Sequence, residues 1–354
     1  MRWLVLVVLA FACRDDATTQ RRDEPAHDTA TKPRDGSANH PRDGSANQPR
    51  TNQPRDGSAA AKQPGGNDPW QVVDDPNAPP SLLARHKLAD AVCPSVTGPY
   101  FYRVEKNGKV SHVLGTRHVG VALAKFPAVV AHTIESAKLA VFEVAPDDHG
   151  SPPHKEISLP DALGPELWGR YRALVGEETA AMVQRGAPSA AMIAMIAMYE
   201  DIGAMLDMEI EQKVLAAHIP ARGLERGSFQ DKLLDKLLDL RMLRAAIAHT
   251  KDRGELETES RKDLHDYCAG TDDTPGMDDD MRADLLDAGY TKQQIDKMDE
   301  ELVFARNRDW IPKLEEIFAK GGAFVAVGAD HLSGPRGVVA LLEARGYTIT
   351  RITK

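Results

Sequence analysis

From residue 81 onward, short apolar runs alternate with longer stretches in which apolar residues recur every three or four positions. This pattern predicts a helix over 81–92, then a hairpin with strands over 100–105 and 110–114. Its turn is Lys106-Asn107-Gly108-Lys109, and an Asn-Gly pair between two such runs favours a tight two-residue connection. A helix over 127–137 leads to a short buried strand, 140–144, that carries Glu143 near its end. Helices follow over 161–175, 188–199 and 205–218, and a strand-like run, 220–224, stands directly before Glu225. Met192, Met195 and Met198 recur at helical spacing and read as core packing. A long helix is expected over 229–249, a polar Asp-rich region over 251–287, and another long helix over 293–320, bent before Pro312. The chain closes with strand 323–327, turn 328–335, helix 336–345 and strand 347–352, with Gly346 placed to end the helix. Strands separated by helices predict an α/β fold. Its expected form is a mainly parallel or mixed central sheet with helices on both faces, plus a helical insertion.

The first 80 residues follow other rules. Residues 1–13 hold one basic residue, Arg2, then an apolar run from Trp3 to Ala12 that is too short to span a bilayer. Ending on Cys13, the run resembles a bacterial lipoprotein signal in which Cys13 is acylated; a plain secretory signal and a chance apolar start are the alternatives. Residues 14–80 repeat the unit Pro33-Arg34-Asp35-Gly36-Ser37-Ala38-Asn39 at 41–47 and, shortened, at 54–59. No apolar side chain larger than Ala occurs in that unit, so it cannot bury a core and predicts a disordered tether. Its mean reach would be about 45 Å. Residues 81–354 form the expected folded domain.

A net charge of −9 argues against nucleic acid as a partner. With Cys13 lipidated, Cys93 and Cys268 remain as an even pair in an export compartment, either bonded to each other or as two thiols.

Candidate chemistry sits at strand ends. Gly115-Thr116-Arg117-His118 follows one strand, and Gly328-Ala329-Asp330-His331 follows another. With Glu143 and Glu225, the two imidazoles form a set suited to a divalent transition metal such as Mn, Co or Zn. Such an ion lowers the pKa of bound water, and a remaining carboxylate takes the proton. Arg117 and Asp330 flank the two histidines as a cation and an anion able to pair. No H-E-x-x-H and no G-x-S-x-G occurs, which removes the usual helical zinc-protease site and the serine-hydrolase elbow.

Five segments stand in order: Leu114-Gly115-Thr116-Arg117-His118, Val141-Phe142-Glu143-Val144, Gly223-Leu224-Glu225 with Gln230, Arg306-Asn307-Arg308-Asp309-Trp310, and Val327-Gly328-Ala329-Asp330-His331. Together they resemble the TraB/GumN family, which is related to the Tiki metalloproteases, over residues 81–354. The resemblance implies a metal-dependent hydrolase acting on peptides or proteins, with His118, His331, Glu143 and Glu225 as metal ligands. Glu143 would also serve as general base, and Arg306 and Asn307 would stabilise a developing oxyanion or orient a carboxylate. The expectation is an exported protein of the cell envelope, held to a membrane by its N-terminal lipid. The alternative is a non-catalytic envelope protein that sequesters a peptide or assists polysaccharide export.

Overall fold

Asn107 and Gly108 both adopt positive φ, 53° and 72°, as a two-residue turn between right-twisted strands demands. They join β1 (Phe101–Lys106) to β2 (Lys109–Thr116) in antiparallel register, with Lys106 opposite Lys109 and Phe101 opposite Leu114. The structure is a computed structural model and describes residues 79–148, 150, 156–271 and 276–354. The signal run, Cys13 and the repeats lie outside the described residues.

Before the hairpin, α1 (Leu82–Val92) is capped by Ser81, whose side chain accepts from the Ala84 N–H. After it come α2 (Ala128–Glu135), β3 (Leu139–Val144), a two-residue pairing of β4 (Ile157–Ser158) with β5 (Arg185–Gly186), and the helices α3 (Leu159–Val175), α4 (Glu177–Val183), α5 (Pro188–Ile196) and α6 (Leu206–Ala216). Then β6 (Ala221–Glu225) leads to α7 (Gly227–Leu237), α8 (Leu240–His249), α9 (Arg253–Ala269), α10 (Asp279–Asp287) and α11 (Lys292–Asp299). A π-helical turn, Glu300–Phe304, connects α11 to α12 (Ala305–Phe318), and β7 (Ala323–Gly328), α13 (Val338–Glu343) and β8 (Thr348–Arg351) finish the chain.

The main sheet runs β6-β3-β7-β2-β1-β8. Its first four strands are mutually parallel and β1 is antiparallel to both neighbours, so the sheet is mixed. Central β7 is buried along its whole length, which explains its unbroken apolar sequence from Ala323 to Val327. Parallel pairing sets Thr116 beside Gly328 and Val144 beside Glu225, so the chemistry-bearing turns share the carboxyl edge.

The helical insertion has its own apolar core. Met192, Met195 and Met198 are buried in it, with Leu159, Tyr171 and Leu243. It is fastened to the sheet by polar contacts: the Tyr267 hydroxyl donates to the Gly115 carbonyl at 2.8 Å, and Arg117 donates to Glu200 at 2.7 Å. Arg117 therefore pairs with Glu200 rather than with Asp330, because both it and Glu200 are buried between the two layers. Cys93 and Cys268 form a disulfide that joins the end of α1 to α9, with Cα atoms 6.0 Å apart.

Three expectations about helices change. The helix expected over 229–249 is two, because Asp239 caps a new start by accepting from the Met242 N–H at 2.9 Å. Asp252 and Asp278 do the same for α9 and α10, so the Asp-rich region is mostly helical. The helix is not interrupted before Pro312, since α12 runs on through that proline; the break in regular α-helical bonding lies upstream, in the π turn.

Candidate active site

Glu143 is the hub of a buried polar network at the carboxyl edge. One carboxylate oxygen accepts the Gly328 N–H at 2.7 Å; the other accepts from Gln230 at 2.9 Å and from Arg306 at 2.5 Å. A Cβ at Gly328 would stand 3.2 Å from that carboxylate, a tight contact. Burial opposes ionisation of Glu143, but Arg306 and the Gly328 N–H outweigh it and hold the carboxyl down to about 2.

Arg306 comes from the first turn of α12 and is 2 % exposed. A guanidinium has five N–H groups, and all are engaged. Nε and Nη2 donate to Glu225 at 3.1 and 2.7 Å, Nη2 also to Glu143, and Nη1 to the Leu302 carbonyl at 2.9 Å and His331 Nε2 at 3.2 Å. Glu225, at the end of β6, also accepts from Trp310 Nε1 at 3.3 Å. Its pKa is raised: burial dominates, and the single guanidinium is shared with Glu143.

His331 lies in a short 3-10 turn after β7 and packs at 4.4 Å against the Trp310 ring. Asn307 donates through Nδ2 to the Arg336 carbonyl at 3.0 Å, which turns its Oδ1 toward His331 Nδ1 at 2.6 Å. His331 Nδ1 is therefore the protonated nitrogen, and Nε2 accepts from Arg306. Burial, reinforced by the charge of Arg306, pushes His331 down to about 3 and keeps it neutral.

His118 stands apart from this closed set. It lines a pocket of about 350 Å³, open mouth included, together with Thr116, Glu143, Asp207 and Glu211. Its Nδ1 bonds to Asp207, in the first turn of α6. Sequence reasoning missed Asp207, because an acidic residue in a first helical turn is common for dipole reasons alone and gives no separate signal. It also passed over the Gly328 N–H, although the glycine itself was legible. The structure thus brings His118, Glu143, Glu225, Arg306, Asn307 and His331 to one edge, but only His118 and Glu143 reach the pocket wall.

The metal implied by the resemblance can be tested on these donors. Glu143, Glu225 and His331 all direct lone pairs at Arg306, whose positive charge sits where a cation would. Among the described residues, no group of three or more His, Cys, Asp and Glu is placed to hold a metal ion. As arranged, these described donors do not fit one.

Gly115, which opens the first His turn, has no room for a side chain: a Cβ would lie 2.9 Å from both Tyr100 Cβ and Leu332 Cδ1 and 3.0 Å from Ala329 Cα. Gly115→Ala is expected to cost about 1–3 kcal/mol of stability, read from the urea midpoint. The strain falls on the turn that carries His331.

These features define a mixed α/β protein with an ionisable cluster at the carboxyl ends of its parallel strands, where such sheets hold ligands. The model of the TraB/PrgY/gumN family matches residues 100–351, which include every strand of the main sheet. The chain belongs to that family. No curated protein and no solved structure gives a match.

Proposed function

We propose that this protein is an exported hydrolase acting on peptide or protein substrates, with His118 as its general base. The observation that carries this reading is the placement of His118: it lines the pocket beside Glu143 while Asp207 fixes its Nδ1. A proton on Nδ1, donated to Asp207, makes Nε2 the basic nitrogen. Nε2 takes a proton from a water molecule as the water oxygen bonds to the substrate carbonyl carbon, and returns it to the leaving amine. Arg306, whose donors are spent inside the protein, and Asn307 hold Glu143 and His331 in place. No step passes through a metal.

Export is supported by the apolar run ending at Cys13, which would anchor the chain by lipid, and by the Cys93–Cys268 disulfide, a bond typical of oxidising compartments. The second reading, a non-catalytic envelope protein that retains a peptide or assists polysaccharide export, is favoured by the absence of a spare Arg306 N–H for an oxyanion.

A fluorogenic peptide library tests the choice. The parent protein is expected to cleave, and to keep cleaving in a chelator. His118→Ala and Asp207→Asn, with unchanged melting curves, are expected to lose at least about a hundredfold in kcat/KM. No cleavage by the parent leaves the binding reading; cleavage abolished by chelation and restored by Mn, Co or Zn returns the metal to the site.

A further inference from the structure

Helix α9 stands behind the first histidine turn and meets it along one face. Ser260, Leu264 and Tyr267 lie one and two turns apart on that face. The Ser260 hydroxyl donates to Glu200 at 3.0 Å, on the same carboxylate oxygen that takes Arg117 at 2.7 Å. Leu264 packs where a Cβ on Gly120 would come within 3.7 Å of its Cδ1, and the Tyr267 hydroxyl donates to the Gly115 carbonyl at 2.8 Å. The helix therefore grips the segment 115–120 near its start, middle and end, with His118 among the contacts.

The Tyr267 contact stands in for a sheet bond. The ladder between β1 and β2 ends with Phe101 opposite Leu114, one residue short of Gly115. The Gly115 N–H still reaches the Tyr100 carbonyl at 2.8 Å, while its own carbonyl is taken by the phenol. A buried carbonyl needs such a donor. Tyr267 is itself buried, and burial, with the charge of Asp207 next in effect, pushes its ionisation up and keeps it a donor.

The following residue on α9, Cys268, carries the disulfide to Cys93. The Cys268 carbonyl accepts the Thr97 and Gly98 N–H groups at 2.9 and 3.1 Å, and that stretch of chain leads directly to Tyr100. The disulfide and this carbonyl thus hold together the two groups that grip Gly115, the Tyr100 carbonyl and the Tyr267 hydroxyl; the two rings are 5.9 Å apart.

We propose that Tyr267 is a positioning residue for His118 and that the Cys93–Cys268 disulfide sets it, so that the first histidine turn takes its working form only in the oxidised chain. The bond forms by exchange with a disulfide-bearing oxidant. Both cysteine S–H bonds and the oxidant's S–S bond break, the Cys93–Cys268 bond forms, and the two electrons and two protons leave on the oxidant as two thiols. Cys93 and Cys268 are both buried, so the finished bond is shielded from attacking thiolates. Setting is then one step taken during folding, not a reversible toggle. The inference rests on the hydrolase reading only for its effect on turnover; the placement of the imidazole is independent of it.

Proton NMR of the full-length protein carrying isotope-labelled histidine provides the test. The Nδ1 protons of His118, held by Asp207, and of His331, held by Asn307, report the two turns separately, and His118→Gln assigns the first. Tyr267→Phe, close in shape but without the hydroxyl, is expected to speed solvent exchange of the His118 proton about tenfold and to leave that of His331 unchanged. Cys93→Ala with Cys268→Ala is expected to do the same, and adding Tyr267→Phe to that pair should change little further. Should one of these variants fail to fold, the other decides alone. No protected His118 proton in the parent, an unchanged His118 proton in the variants, or equal acceleration at both histidines, the mark of mere destabilisation, overturns the proposal. Effects that multiply in the triple variant overturn the link to the disulfide. In the peptide assay the variants should lose about tenfold or more in kcat with KM little changed. The expected NMR result without cleavage by the parent removes the hydrolase reading and leaves this one standing; cleavage with an unmoved His118 proton does the reverse.

Discussion

Arg306→Ala is expected to lower folding stability by about 3–5 kcal/mol at neutral pH, because it strands two buried carboxylates without their counter-ion. The same change removes the donor to His331 Nε2 and the bond to the Leu302 carbonyl. Arg306→Lys keeps the charge but has too few donors in a fixed plane to serve Glu143, Glu225 and His331 together, so it should fall between the two. Urea unfolding at several pH values checks the cause.

The sign in the parent follows from its two depressed groups. His331 has a folded pKa of about 3 against 6.5, so its contribution is present above 6.5 and is lost as pH falls toward 3. Glu143, at about 2 against 4.5, contributes above 4.5 and loses it on the way to 2. Glu225 is raised instead and works in the opposite direction, favouring the fold below 4.5 and less as pH rises. In Arg306→Ala the carboxylates take up protons to escape burial as anions, so the gap between variant and parent should narrow on acidification. A gap that stays constant from pH 7 to pH 4 would mean the loss is one of packing, not of charge.

The second large effect concerns the disulfide. Its sequence separation of 175 residues closes a loop that contains β1 to β3, β6 and the helices through most of α9. Loop-closure entropy for that length amounts to about 5 kcal/mol, and measured losses for native bridges run from about 2 to 5. Replacing Cys93 and Cys268 together by alanine should therefore lower stability by about 2–5 kcal/mol in urea. Alanine is preferred to serine, because both positions are buried and a serine hydroxyl would add a desolvation cost. A parent protein that takes up alkylating agent at both cysteines without reduction would refute the bond.

The sheet was legible because its strands are apolar runs bounded by Gly, Asn-Gly or a charged residue, and period and punctuation agree at β1, β2, β3 and β7. Glu143 was legible for a related reason: a charge closing an apolar strand requires a partner. The partner itself, Arg306, came from motif resemblance, since nothing in local sequence marks an arginine on an amphipathic helix as buried. The breaks at Asp239 and the caps at Asp252 and Asp278 were obscured because aspartate serves loops and helix starts alike. Asp207 was invisible as a site residue for a geometric reason. Its role depends on which side of a helix faces a depression that forms only when β2, β3 and β7 lie side by side.

One consequence follows from the depth of the Arg306 network. Dissolved ions screen exposed charges over about 8–10 Å at physiological strength but reach desolvated pairs poorly. Asp207 is about one-fifth exposed, whereas Arg306 is 2 % exposed. Salt therefore separates the two halves of this edge: brine dulls the pairing of the outer carboxylate, while the inner lattice that keeps the cleft in shape hardly feels it.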